Sequence, residues 1–243
     1  MKWKDHRRLI NVTIQRHHVS QNAYRGLIEG VVYPDKNNRW RKEHDYRLES
    51  HHHPSKEKIV RLIWKARINW LNGNESNAGF HLGRALHYIH DGYVSKGFIG
   101  ISHDSNENII HSMDLHETFV DSGIRDSRSD PFFIEELVWN VTPQSPEKAI
   151  DSASYITASL IKAVLNYQTT PTELTEDYKN ACIRHTKFLE TGIGICLAIF
   201  LLAIFTNSMQ LILFSPVLGF IVVKMDNRYY LIEKKWNWFN KKI

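Results

Sequence analysis

The sequence predicts an all-α protein: a multi-helix bundle that carries metal ligands, followed by a C-terminal helical hairpin of membrane type. Three observations carry that prediction. Apolar residues recur at i, i+3, i+4 and i+7 through much of the first two thirds of the chain, the period of a helix with one buried face. Only short stretches such as residues 30–33 have strand character. Residues 191–223 contain no charged side chain, a run of ~33 residues that would span roughly 50 Å as a helix, against a hydrocarbon core of about 30 Å.

Taken in order, residues 5–23 read as a first helix, with Leu9, Ile10, Val12, Thr13 and Ile14 on its apolar side and Arg7, Arg8 and Arg16 on its wet one. His6 lies at its start. Residues 26–35 combine glycine with Pro34 and read as a short helix end running into a loop, which would present Asp35 from irregular backbone. Residues 37–50 are almost all polar and read as a solvated loop leading to His51, His52 and His53; in extended backbone His51 and His53 would share a face. Ser55 begins a helix whose core face is Ile59, Leu62, Ile63, Ala66 and Trp70. Asn72-Gly73-Asn74 ends it, and Ser76 is the expected cap of the next helix, which turns Ala78, Leu82, Ala85, Leu86 and Ile89 inward and carries His87 and Asp91. Gly83 and Ala85 would let a neighbour approach closely. Gly92, Gly97 and Gly100 mark a loop, after which helix resumes at His103 and extends through Met113 toward Phe119. A polar loop follows Asp121. Ser145-Pro146 then opens the clearest amphipathic helix, with Ala149, Ile150, Ala153, Ile156, Leu160, Ile161 and Val164 on one face. A last helix is expected from Glu173 into the uncharged run.

That run is too long for one straight span. Thr206-Asn207-Ser208-Met209-Gln210 divides it into two apolar arms, the pattern of a tight helical hairpin. Arg184 and Lys187 precede it and Lys224, Arg228, Lys234, Lys235, Lys241 and Lys242 follow, whereas the central turn has no Lys or Arg, so the positive-inside rule puts both ends in the cytoplasm. Trp236, Trp238 and Phe239 among the last lysines suit a membrane interface. The expected organisation is a helical domain at 1–189, a membrane hairpin at 190–225 and a basic, aromatic cytoplasmic tail at 226–243. No apolar run of signal-peptide length opens the sequence, so export is not expected.

Composition narrows the chemistry. Net charge is +5, which favours anionic partners: phosphoesters, nucleic acid or anionic lipid. The two cysteines, Cys182 and Cys196, exclude a disulfide framework or a cysteine zinc knuckle, so any metal must be held by histidine and carboxylate. Most of the 14 histidines fall between His6 and His111. His87 and Asp91 lie four apart on one helix, one turn apart on the same face, and His103 and Glu107 repeat the spacing. Imidazole with carboxylate suits zinc, whose catalytic sites keep a position open for water.

The stretch Gly83-Arg84-Ala85-Leu86-His87-Tyr88-Ile89-His90-Asp91 resembles part of the zinc-dependent phospholipase C family and of the related single-strand nucleases. The resemblance covers roughly the first half of the chain. It implies that His87 and Asp91 bind zinc, with Asp91 bridging two ions, and that His103 and Glu107 hold another. It further implies His6, Asp35 and a histidine of the 51–53 run as ligands, His51 foremost with His53 as substitute, two or three zinc ions in all, and Asp35 orienting the attacking water. Two positions depart from the family pattern. Its chains begin with a Trp whose amino terminus binds metal, whereas Trp3 lies behind Met1 and Lys2, so that ligand is expected only if two residues are removed. No histidine stands between Asp91 and His103, so the second site would draw on His111 or be empty.

The function expected from these readings is a membrane-anchored zinc-dependent phosphodiesterase of phospholipase C type, its catalytic domain cytoplasmic. Phospholipid is preferred to nucleic acid as substrate because the domain is tethered at a bilayer. Three alternatives stand beside it. One is a histidine–aspartate phosphohydrolase, suggested by the adjacent His90-Asp91 and His103-Asp104; the others are a single-strand nuclease and a non-catalytic membrane-attached metal-binding protein.

Overall fold

The computed structural model describes residues 1–37, 55–94 and 101–240, the side chains of 101–104 and 209 excepted. Among the described residues the chain is all-α. Eleven helices follow one another: α1 (Trp3–Arg16), α2 (Gln21–Asn37), α3 (Lys56–Leu71), α4 (Glu75–Tyr93), α5 (Ile101–Ser112), α6 (Glu117–Asp126), α7 (Pro131–Trp139), α8 (Pro146–Val164), α9 (Thr172–Thr206), α10 (Met209–Lys224) and α11 (Asn227–Asn240). Two compact units result, Met1–Tyr167 with α1 to α8 and a second with α9 to α11.

In the first unit α4 is the central rod. Its apolar residues Ala78, Leu82, Ala85, Leu86 and Ile89 are buried as their spacing predicts, and so are His87, His90 and Asp91. Helices α2, α3 and α8 pack against it. The α2–α4 contact is backbone against backbone. A Cβ added to Gly26 or Gly30 would lie 2.1 Å from the carbonyl oxygen of Ser76 or Phe80, and one added to Gly79 or Gly83 would lie 2.1 or 2.5 Å from that of Ala23 or Leu27. Glycines four residues apart on each helix therefore form a reciprocal seam. Residues 26–35, expected to run into a loop, are helical throughout, with Pro34 inside α2. The glycines that read as breakers are there because no side chain fits between the helices.

Local signals decide the ends. Ser55 accepts from the Lys58 N–H and starts α3 as expected, and Pro146 stands in the first turn of α8. The cap of α4 is Asn74, whose side chain accepts from Asn77, rather than Ser76. The expected helix at 5–23 is two helices: α1 stops at Arg16, and the Ser20 hydroxyl accepts the Ala23 N–H at the start of α2. Helix α5 ends at Ser112, short of Phe119. The expected polar loop after Asp121 is partly helix, since α6 continues to Asp126, and Asp130 with Pro131 opens α7. At the far end of α8, the buried Arg67 donates from its Nη1 to the carbonyls of Val164 (2.9 Å) and Asn166 (2.7 Å), closing orphan acceptors of the helix C-terminus.

In the second unit α9 and α10 form an antiparallel hairpin. Asn207 turns the chain in the left-handed conformation (φ 50°), which asparagine tolerates better than most residues. The arms meet at Gly192 and Gly219, where an added Cβ on either would come within 2.9 Å of the other's carbonyl oxygen. Among the described residues, helix α9 alone is long and apolar enough to cross a membrane; α10 and α11 pass the same test only together, bent by 59°. The large apolar side chains of the hairpin point outward, Phe205 being 89% and Leu213 73% exposed.

Residues 227–240 are helix, held to α9 by polar and aromatic contacts. Asp226 accepts from Arg184 (3.0 Å), His185 (3.3 Å) and the Tyr229 N–H (3.3 Å), and Tyr178 stacks on Trp236 at 4.6 Å. Burial works to raise the Asp226 carboxyl, but the hydrogen bonds from Arg184 and Tyr229 outweigh it and hold it below its ordinary 3.8. A depressed folded value means the contribution is complete above pH 3.8 and is lost as pH falls through the folded value. Asp226→Asn keeps the cap but removes the charge facing Arg184 and His185, and is expected to cost about 1–2 kcal/mol near neutral pH. The gap between wild type and variant should close in acid, as thermal unfolding in detergent would show.

Candidate metal centre

The centre is built on the last turns of α4, where the i, i+4 spacing aims His87 and Asp91 the same way. The start of α1 brings His6, and the last turn of α2 brings Asp35. His6 Nε2 lies 3.5 Å from Asp91 Oδ1, and His87 Nε2 lies 3.3 Å from Asp91 Oδ2 and 3.8 Å from Asp35 Oδ1. One ligand atom from each of His6, His87 and Asp91 falls within 4.8 Å of the others, and all three residues are buried. Two ligands on a tetrahedral zinc with bonds of about 2.0–2.1 Å are about 3.3–3.4 Å apart. The His87–Asp91 separation matches that edge and the His6–Asp91 separation, to the other oxygen, is slightly longer; the group could hold a metal ion.

Protonation favours the same reading. His87 Nδ1 lies 3.0 Å from the carbonyl of Val31, which can only accept, so Nδ1 carries a proton and, in the neutral imidazole, Nε2 is the nitrogen that presents a lone pair to Asp91. Burial, then the neighbouring His87 and His90 rings and the amino-terminal ammonium, push His6 well below the usual histidine range. Burial takes His90 down to about 3 against the pull of Asp91. Both are neutral at pH 7, the state in which imidazole ligates. Among the described residues, His6 Nε2 and His87 Nε2 are buried without a hydrogen-bond partner. Bare imidazole nitrogens facing a carboxylate out of water are costly until a cation joins them.

One cation is already present. The α-amino group of Met1 donates to Asp91 Oδ1 at 2.8 Å and to Glu107 Oε1 at 2.5 Å. Burial opposes its charge, but Asp91 by charge and hydrogen bond, with Glu107, raises it above its ordinary value. The amino-terminal ligand that the resemblance implies would belong to a chain starting at Trp3; here the Met1 ammonium donates to Asp91 and Glu107, and Trp3 is exposed. A main-chain amine has no side-chain pattern, so no motif points to it.

The other expected ligands divide. Asp35 comes to the cluster from helix, not from the irregular backbone expected. Glu107 reaches it through Met1. His103 lies in α5, its side chain outside the described residues, and His51 and His53 also lie outside them. His111 pairs instead with Asp5 at 3.0 Å. His90, which the sequence singled out only for the alternative dyad with Asp91, and Thr157 complete the surroundings. His90 Nδ1 lies 2.9 Å from His6 Nδ1, and its Nε2 lies 2.7 Å from the Thr157 hydroxyl, whose contribution from α8 no local spacing reveals. No family model matches this chain, and no curated protein or solved structure matches it either.

Proposed function

We propose that the chain is a membrane-anchored, zinc-dependent phosphodiesterase of phospholipase C type that acts on phospholipid from the cytoplasmic side. The observation that carries this reading is the buried convergence of His6, His87 and Asp91, with unpartnered imidazole nitrogens at ligand-to-ligand distances from one carboxylate. The two oxygens of Asp91 face different histidines, which suits a bridging role: His6, Glu107 and the Met1 amine on the Oδ1 side, His87 and Asp35 on the Oδ2 side. Zinc held there would acidify a water and neutralise phosphoryl oxygens during attack. Asp35, the most open of these carboxylates at 30% exposure against 6% for Asp91 and 18% for Glu107, is the residue to orient that water and accept its proton. At His90-Asp91 the histidine–aspartate phosphohydrolase reading is disfavoured, because it needs His90 as a ligand and both His90 nitrogens are engaged by His6 and Thr157; the side chains of His103-Asp104, its other dyad, lie outside the described residues.

The outward apolar side chains of α9 and α10 supply the anchor, with Arg184 and Lys224 near its base to meet anionic headgroups. Tethering raises the local concentration of lipid substrate without a new contact. The test uses the full chain in phosphatidylcholine vesicles. At least one zinc per chain and release of phosphorylated headgroup, stopped by a chelator and restored by zinc, are expected. Cleavage of single-stranded nucleic acid with none of phospholipid would assign the site to a nuclease, and a chain free of metal after zinc loading would end the metal-dependent reading.

A further inference from the structure

A chain of three buried groups leads away from the cluster: His6, His90 and Thr157. The geometry points to Thr157, acting through His90, as the residue that fixes the proton of His6 on Nδ1 and so keeps Nε2 bare toward Asp91. The consequence for zinc rests on the proposed function; the proton placement does not.

The placement follows from counting protons. Thr157 Oγ1 lies 2.6 Å from the carbonyl of Ala153, which cannot donate, so the hydroxyl proton belongs in that contact. Thr157 can then only accept from His90, whose Nε2 therefore carries a proton. A neutral imidazole has one N–H, which leaves His90 Nδ1 as acceptor and makes His6 Nδ1 the donor across 2.9 Å. His6 Nε2 is left with its lone pair, 3.5 Å from Asp91 Oδ1. The opposite arrangement would place two oxygens 2.6 Å apart with no proton between them.

Something must hold this order, because Asp91 favours the other one: a proton on His6 Nε2 would face a carboxylate. Thr157 supplies the opposing hold at the far end of the relay, beside a backbone hydrogen bond between His6 and Met1. Thr157 and His90 are thus positioning residues that touch no ion themselves. His87 needs no such relay, its Nδ1 proton being held by the Val31 carbonyl.

The test is ring-nitrogen NMR on the full chain in detergent micelles with labelled histidine, before and after zinc. The wild type should show His6 protonated on Nδ1 and His90 on Nε2. Thr157→Val removes the acceptor at nearly constant shape and should move the His6 proton to Nε2, with zinc affinity falling roughly 10- to 100-fold, the usual cost of losing a supporting partner. Thr157→Ser should restore both readouts. Should the valine variant not fold, His90→Gln can still accept from His6 and donate to Thr157, and should keep the His6 tautomer, whereas His90→Leu should lose it. His6 protonated on Nε2 in the wild type, or tautomer and zinc affinity unchanged in Thr157→Val, would overturn the inference. The expected tautomers in a chain that binds no zinc would uphold the relay and sink the metal reading alone.

Discussion

Asp91→Asn is expected to abolish zinc binding at the proposed centre. Asp91 Oδ1 accepts from the Met1 ammonium and faces His6 Nε2 at 3.5 Å, and Oδ2 faces His87 Nε2 at 3.3 Å. Asparagine keeps the shape, removes the charge and turns an N–H₂ toward a bare imidazole nitrogen. Zinc affinity should fall by more than about 100-fold, beyond the range for loss of a supporting residue. His87→Ala should do the same. The metal-free variant should also be less stable, because the buried Met1 ammonium keeps only Glu107 as an anionic partner; a loss of about 1–3 kcal/mol is expected. Metal analysis and thermal unfolding with chelator present separate the two effects. Unchanged zinc content in both variants would remove His87 and Asp91 from any metal site.

Gly30→Ala will force α2 from α4. Its methyl would meet the Phe80 carbonyl at 2.1 Å, and backbone cannot swing aside as a side chain can. Overpacking of this kind costs about 1–3 kcal/mol, occasionally more. The seam also sets the distance from α2 to the proposed ligands: Val31 accepts from His87 Nδ1 and Asp35 stands 3.8 Å from His87. The variant should therefore lose zinc affinity as well as stability, though residue 30 touches no ligand. Gly194 is the control, since an added Cβ there meets nothing within 4 Å. Gly194→Ala should be neutral, or stabilising by about 0.5–1 kcal/mol as for other helical glycines. Equal behaviour of the two variants would show that the seam is not tight.

Much of the fold was legible because helices announce themselves locally. The apolar period of residues 146–164, Ser55 before its helix, and the polar break at Asn207 each depend on a few neighbours in sequence. The glycines of α2 depend on α4 instead. Read alone, Gly26, Gly30 and Pro34 weaken a helix, and their use becomes visible only when Gly79 and Gly83 stand opposite. The polar stretch at 122–130 misled in the other direction, since Gly123 admits the Tyr155 carbonyl at a distance no Cβ would allow.

By itself the sequence determined an all-helical chain, an uncharged pair of C-terminal arms and the shared face of His87 and Asp91, all consequences of spacing along one helix. Tertiary structure alone decided what meets that face. His6 arrives from α1, Asp35 from α2, Thr157 from α8 and the Met1 amine from the chain start, positions far apart in sequence that the bundle brings together. Proton placement is further removed still. Each imidazole's bare nitrogen is set by a backbone carbonyl, Val31 for His87 and Ala153 through Thr157 and His90 for His6, and a carbonyl is the one group every residue shares, so no pattern of side chains could mark it.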